Sequence, residues 1–499
     1  MSINLEINCM AISLNAYVGP WNNSSKYSLS LILLIGVISM LVKDEYDSSK
    51  ELFFKDVVFE GLASDGGLYI PKEWPKLDSD LINDFKNMSY QEIAFFVFRE
   101  YIDISLSDSD LKNLIDESYS SFTNKEITPI CKISDSEYLL ELFHGPTYAF
   151  KDIAMQFISR LMDIYLKKDG GQINILGATS GDTGSAAIYG FESVESSNVF
   201  ILHPHNLISP TQRKFMTTVS SDNIINIAVK GNFDDCQNLI KEIFSDENYK
   251  KSKNLGAVNS INWARIMCQI TYYFYSASRI SDSENIVYSV PTGNFGDILA
   301  GYIARQMGLI FRKLIIATNE NNILDRALKS GEHSINKVIS TTSPSIDIQI
   351  SSNFERLIYD SCKDSDHVCQ LMRNLKQNKS FTLSEEIRKY ISNYFTSDSA
   401  TESEVEEIIL KYFNDYKITL DPHTAVGVVC GKKYQSSDDI LVTLATAHPA
   451  KFKETVSRII SNNSFITDKV RDLDKLKENM IIVDNNSKDI KSIIDGKVA

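Results

Sequence analysis

Six short apolar runs, set among stretches of helical periodicity, leave this chain few architectures. They are INILGAT (173–179), NVFILHP (198–204), NIINIAVKG (223–231), NIVYSVP (285–291), KLIIATN (313–319) and DILVTLAT (439–446). Each is too short for a typical helix and rich in branched residues, so each reads as a strand buried on both faces. Around them, AMQFISRLMDIYLKK (154–168), CQNLIKEIF (236–244) and ARIMCQITYYFYSASRI (264–280) place apolar residues at helical spacing. Strands alternating with helices predict an α/β fold of parallel sheets covered on both faces. No repeat of the solenoid kind is present.

The flanks read differently. DFKNMSYQEIAFFVFREYI (84–102) and LKNLIDESYSSF (111–122) are helical patterns, so 46–130 is expected to be a mostly helical N-terminal region. The catalytic core is expected over 131–352 and 418–465. Between these, 353–417 is charged, helical in pattern and without strand-like runs, and reads as a helical insertion. The lysine- and aspartate-rich end, 466–499, reads as a solvated tail. Residues 1–45 stand apart. YSLSLILLIGVISMLV (27–42) has sixteen residues without a charge, whereas a spanning helix needs about 20. It also lacks the basic start and small-residue cleavage site of a signal peptide. Three readings stay open: an artefactual extension from a misassigned start, a membrane anchor, or a segment packed on the core.

Composition narrows the partners. Lys+Arg number 51 and Asp+Glu 65, a net charge of −14. Such a surface argues against charge-driven nucleic-acid binding, which needs cations to displace counterions from phosphates. A local pocket for a small anion is still allowed. The seven cysteines form no CxxC pair and their number is odd, which fits a reducing, cytoplasmic setting. Cys362, His367 and Cys369 match no zinc spacing, and no metal is expected.

Nucleotide, zinc-protease and serine-hydrolase motifs are missing. Four other elements carry chemistry. In ELFHGPTYAFKDIAMQF (141–157), Lys151 follows apolar residues at a loop-to-helix junction. An amine in apolar surroundings loses its proton more easily and becomes a nucleophile, as a Schiff-base lysine requires. The bland alternative is a lysine snorkelling to water at a helix start. In GATSGDTGSAAIYGF (177–191), a strand ends in a glycine- and hydroxyl-rich loop before a small-residue helix. Such loops bind anions, and Asp182 would carry charge into the site, although glycine turns of this kind are also common structural links. In VPTGNFGDILAGYIARQMG (290–308), Gly293 and Gly296 let backbone approach a ligand at a helix start. No lysine follows, so the loop suits one phosphate monoester rather than a triphosphate. In LATAHPAKF (444–452), Thr446 ends a strand and offers a neutral hydroxyl where ligands of open α/β sheets bind. Together these suit pyridoxal phosphate, which has one aldehyde, one phosphate and one ring nitrogen.

GLASDGGLYIP (61–71), ELFHGPTYAFKD (141–152), ATSGDTGSAA (178–187), NSINWAR (259–265), PTGNFGD (291–297), DPHTAVG (421–427) and TAHPAKF (446–452) occur in this order. In that order they resemble the threonine synthases, most closely the long form of enterobacterial and fungal enzymes, over about Phe53 to Ile460. The resemblance implies a tryptophan-synthase-β-like fold (pyridoxal-phosphate fold type II), with two doubly wound α/β domains. It implies conversion of O-phospho-L-homoserine and water to L-threonine and phosphate. The alternative is a threonine-synthase-like phospholyase that releases a keto acid, ammonia and phosphate. The implied partner is that small substrate, with no nucleic acid, no membrane, and a monomer as the expected assembly.

Position by position, Lys151 resembles the Schiff-base lysine. Gly293, Asn294, Phe295, Gly296 and Asp297 resemble the cofactor-phosphate loop. Thr446 resembles the residue facing the pyridine nitrogen. Ser180, Gly181, Asp182, Thr183 and Gly184 resemble the loop near the substrate carboxylate. Asn259, Ser260, Asn262 and Arg265 resemble the substrate-phosphate region, with Arg265 suited to a bidentate fork. Asp182, His144 and Arg265 are candidates for orienting groups. One departure concerns the start: the family's short Ser-Thr-Arg stretch corresponds here to EYDSSKELFF (45–54), which has no arginine.

Overall fold

All six apolar runs form strands, and they divide between two sheets. The computed structural model describes residues 37–39 and 52–498 apart from 64, 65, 104, 193 and 258. The chain separates into the units Met1–Leu33 and Leu34–Ala499, and every described residue belongs to the second. The smaller sheet has the order Ile481–Val483, Ile224–Val229, Ser197–Pro204, Ile173–Ala178, Leu255–Gly256, all parallel. The larger has the order Phe395–Ser399, Lys313–Thr318, Ile286–Pro291, Ile440–Ala445, Glu137–Glu141, Ile130–Ser134. Only its last pair is antiparallel. The chain enters the larger sheet, builds most of the smaller one, and then returns. Two α/β halves result, as expected, and strands such as Ile286–Pro291 are buried along their whole length.

Helices bind the halves together. Trp263–Arg279 is buried from Trp263 to Ala277. A helix apolar on all sides belongs in a core. It packs on Gly296–Gln306, Tyr90–Arg99 and Lys151–Asp169. The helix Tyr90–Arg99 starts where Ser89 and Glu92 form a capping box, which supplies partners for two otherwise orphaned backbone N–H groups.

The stretch 353–417 differs from its reading as a purely helical insertion. It holds the helices Phe354–Cys362, Ser365–Asn378, Glu385–Ser392 and Glu402–Tyr416. It also supplies the edge strand Phe395–Ser399, paired to Lys313–Thr318 from Leu314↔Phe395 to Thr318↔Ser399. FTSDS carries no apolar run because an edge strand has one neighbour and one covered face. Only Phe395 and Ser397 are buried, and Ser397 Oγ donates to Asp325 Oδ1 at 2.8 Å.

The end of the chain is likewise no solvated tail. Residues 468–497 form the helix Asp468–Leu473, the edge strand Ile481–Val483 and the helix Ser487–Lys497. Ile490 and Ile494 lie one turn apart and pack with Leu239 and Ile243. Two buried residues at helical spacing suffice to dock a helix whose other faces are charged. Of the uncharged run 27–42, only Val37–Ser39 is among the described residues; it pairs antiparallel with Tyr69–Pro71. The remainder of the 1–45 segment, and the three readings of it, lie outside the described residues. No helix among the described residues is long and apolar enough to cross a membrane.

Candidate active site

Lys151 opens the helix Lys151–Asp169, directly after a segment pinned to the far end of the larger sheet. Phe150 N–H donates to the Thr446 carbonyl at 2.9 Å, and His448 N–H donates to the Tyr148 carbonyl at 3.0 Å. Ala149 and Ala447 form an antiparallel bridge between them. Tyr148 sits at φ 59°, a left-handed conformation that costs a non-glycine residue energy and that the surrounding bonds must hold. The result fixes Lys151 beside the strand end that carries Thr446. Lys151 Nζ lies 3.1 Å from Asp182 Oδ2, and both side chains are almost fully buried. Burial favours the neutral amine and outweighs the pull of Asp182, with Lys451 and Arg265 adding to it, so the ammonium loses its proton below the ordinary lysine range.

Asp182 is the counterpart. The strand Ile173–Ala178 ends at Thr179, whose hydroxyl accepts from the N–H groups of Gly181 and Gly184 at 2.9 Å each. Gly181 then turns at φ 132°, a conformation side-chain-bearing residues rarely adopt, and the helix Asp182–Phe191 begins. A carboxylate at a helix start also meets the positive end of the helix dipole. Asp182 Oδ1 accepts from Gln212 Nε2 at 3.1 Å and lies 3.3 Å from Lys451 Nζ. Its Oδ2 accepts from Ser345 Oγ at 2.7 Å. Burial alone would raise the carboxyl, but Lys151 and Lys451 outweigh it and hold Asp182 well below the usual carboxylate range. His423 backs this arrangement: its Nδ1 pairs with Asp421 Oδ1 at 3.0 Å, and its Nε2 accepts Ser345 N–H at 3.1 Å. Ser180 is exposed at the loop tip and Thr183 is half-buried.

The second wall is the loop after Ile286–Pro291. Phe295 stands at φ 64° and no side chain caps the helix Gly296–Gln306 that follows. The first-turn N–H groups therefore have no side-chain acceptor, which is the condition for anion binding. The loop is braced from behind. Ser351 Oγ donates to the Gly293 carbonyl at 2.7 Å, Ser352 Oγ reaches Asn294 Oδ1 at 3.2 Å, and Asn353 Nδ2 donates to the Asn294 carbonyl at 2.8 Å. A Cβ on Gly293 would lie 2.8 Å from the Ser345 carbonyl oxygen, so the two segments meet backbone to backbone. Asp297 differs from the other four loop residues. Its carboxyl turns into the core to accept from Tyr272 and, at 3.1 Å, from Tyr273, and burial pushes it up to about 7. What Asp297 offers a ligand is its backbone.

The 259–265 segment closes one side. Asn259 Oδ1 accepts from Ile261 N–H at 3.1 Å and from Asn262 N–H at 3.0 Å. Asn262 Oδ1 caps the long buried helix by accepting Ala264 N–H at 3.0 Å. Ser260 Oγ meets Ser352 Oγ at 3.1 Å, which joins this segment to the phosphate-loop brace. These side chains shape the turn that leads into Arg265. It is buried, its Nη1 donates to the Asn259 carbonyl at 2.8 Å, and its Nε has no partner among the described residues. A buried guanidinium N–H without an acceptor marks a place where an anion is wanted. His144 lies elsewhere, with its Nε2 2.8 Å from Glu141 Oε2.

A cavity of about 250 Å³ lies against the phosphate-loop brace, bounded by Ile261, Ser351, Ser352, Phe354 and Glu355 among others, and Lys151 does not line it. Lys451, Gln212, Ser345 and His423 converge on Asp182 although sequence reasoning singled out none of them. Lys451 carried a usable signal, as a lysine within the apolar motif TAHPAKF. The residues fit pyridoxal phosphate: a nearly buried lysine that loses its proton below the ordinary range, and an uncapped helix start for the phosphate.

Three family profiles match: "Threonine synthase N terminus" over 45–119, "Pyridoxal-phosphate dependent enzyme" over 127–446, and "Threonine synthase, C-terminal" over 424–494. The threonine synthase of Saccharomyces cerevisiae is 43% identical over 496 residues, covering 91% of this chain and 96% of its own. That of Pseudomonas aeruginosa is 44% identical over 410 residues, covering 82% and 87%. The crystal structure of pyridoxal-phosphate-bound threonine synthase from Brucella melitensis superposes with a TM-score of 0.89 at 40% identity, covering 93% of this chain and 99% of that one.

Proposed function

The chain belongs to the threonine synthase family, and on that premise we propose how its own residues carry the reaction. It is a pyridoxal-phosphate-dependent lyase of fold type II that makes threonine from a small-molecule substrate. The proposed substrate is O-phospho-L-homoserine, and the proposed products are L-threonine and phosphate. The observation that carries this reading is the buried Lys151–Asp182 pair, 3.1 Å apart, with Phe150 hydrogen-bonded to the Thr446 strand end.

Lys151 Nζ is the group that anchors the cofactor. The same nitrogen would remove the substrate's α-proton and carry protons to later carbon centres. Bound in this site, the cofactor supplies an electron sink for the carbanions of the reaction. Asp182 orients Lys151 and stays ionised throughout. Gly293 to Asp297 hold the cofactor phosphate by backbone N–H groups, with the Asp297 side chain acting from the core. Thr446 would face the ring nitrogen and would offer it a neutral hydroxyl rather than a charge. Arg265, on the turn shaped by Asn259, Ser260 and Asn262, receives the substrate phosphate. Ser180, Gly181, Thr183 and Gly184 receive the substrate carboxylate. Phosphate departs from the γ-carbon and water adds at the β-carbon, so one water is consumed for each phosphate released. The cysteines, free where described, support work in a reducing compartment such as the cytoplasm. The proposed assembly is a monomer.

The test is a product assay with O-phospho-L-homoserine. Threonine and phosphate in equal amounts are expected. Keto acid and ammonia in place of threonine would overturn the reading in favour of a phospholyase.

A further inference from the structure

Asp182 holds two ammonium groups, one on each oxygen. Lys151 lies on Oδ2 at 3.1 Å and Lys451 on Oδ1 at 3.3 Å. Lys451 is 0% exposed, and its Nζ also donates to the Thr147 carbonyl at 2.8 Å and to Ser185 Oγ at 3.3 Å. An ammonium at that depth is costly and persists only when paired. Asp182 does not need it for hydrogen bonding, because Gln212 and Ser345 already donate to the two oxygens. The second cation therefore serves something other than satisfying the carboxylate.

We propose that Lys451 is a positioning residue of the reaction, which competes with Lys151 for Asp182 and so lets Lys151 work as a neutral amine. A single buried lysine–aspartate pair would lock the lysine as an ammonium, because separating a proton from it would strand the carboxylate. With Lys451 on the other oxygen, Asp182 keeps a counter-ion whether Lys151 is charged or not. Like charge also repels: Lys451 and Arg265 both disfavour a proton on Lys151, while Asp182 favours one. His423 faces the same carboxylate through Ser345, and its Nε2 carries no proton in that hydrogen bond. Asp152 and Lys469 lie on the Thr147 side of Lys451; Asp152 accepts from Thr147 N–H and Oγ1 at 2.7 Å each, and Lys469 donates to the Pro146 carbonyl.

The proposal rests on Lys151 being the cofactor lysine. The test is the rate at which the full chain, stripped of cofactor, takes up pyridoxal 5′-phosphate, followed by absorbance from about pH 6 to about pH 10. Uptake requires the neutral amine, so its midpoint reads Lys151. For the unaltered chain the midpoint is expected below the ordinary lysine value, and a midpoint at or above that value would overturn the proposal without any variant. K451Q keeps a donor for the Thr147 carbonyl but no charge, and K451M removes both. Each is expected to raise the midpoint by about one unit, or about tenfold slower uptake near neutrality. K451R is expected to stay within about threefold of the unaltered chain. A K451Q protein with unaltered circular dichroism and an unmoved midpoint would overturn the proposal. K151A separates the two levels. Unchanged uptake by K151A would refute Lys151 as the cofactor lysine, whereas lost uptake with an unmoved K451Q midpoint refutes only the role of Lys451.

Discussion

The two walls of the site hold charge in opposite ways. On the lysine side, Asp182, Lys451 and Arg265 are buried ionisable groups and Lys151 is nearly so; burial lowers Lys151 and Arg265, and the two lysines lower Asp182. On the proposed phosphate side, the Gly293–Asp297 loop is braced by Ser351, Ser352 and Asn353, all neutral, and the groups proposed to bind are backbone N–H. The contrast follows from what each wall handles. Protons are proposed to move at Lys151, and charges there would set where they reside. A phosphate monoester is an anion at every working pH, and fixed dipoles hold it without adding a titrating group.

The comparison breaks most simply at Lys151. K151A should lower turnover by about 10³-fold or more and abolish the cofactor's bound-state absorbance, with the melting temperature little changed. Turnover at a normal rate would mean that the charged wall is not where the chemistry occurs. A smaller effect is expected from G293A. The new Cβ would press on the Ser345 carbonyl at 2.8 Å, so the loop or its neighbour must shift. Cofactor affinity measured by dialysis should weaken about tenfold, with the rate at saturating cofactor within about threefold. If the pH profile moved as well, Ser345 would be passing the disturbance to Asp182, and the walls would not be separable. The smallest effect belongs to Asp297, the one ionisable side chain in the loop. Buried, it titrates near about 7, above an ordinary carboxyl. The folded chain therefore holds a proton that the unfolded chain has released. That contribution to stability is complete below the ordinary carboxyl range and is lost as pH rises through about 7. The melting temperature of the unaltered protein should fall relative to D297N between about pH 4 and about pH 7, while the two keep the same pH profile of turnover.

Much of the fold was legible because buried parallel strands must be apolar along their length. Ile173–Ala178 and Ile286–Pro291 announce themselves for that reason. Phe395–Ser399 and Ile481–Val483 do not, because each is an edge strand with polar neighbours and short reach. At the site, Lys151 and the Gly293 loop stand in motifs whose residue types are unusual together. Ser345 and Gln212 are common residues, brought to Asp182 only by the tertiary fold, and nothing local distinguishes them. Lys451 shows the limit most clearly. A lysine in an apolar motif can be buried or can reach for water, and the two differ only in what covers it.

The antiparallel bridge between Ala149 and Ala447 joins positions nearly three hundred residues apart, and Asp182, Ser345 and Lys451 complete the same small volume. A chain still emerging from the ribosome can thus have its cofactor lysine and its first anion loop in place and yet own no pocket. On the proposed reading, occupancy by pyridoxal phosphate would report that segments from both ends of the chain have come together.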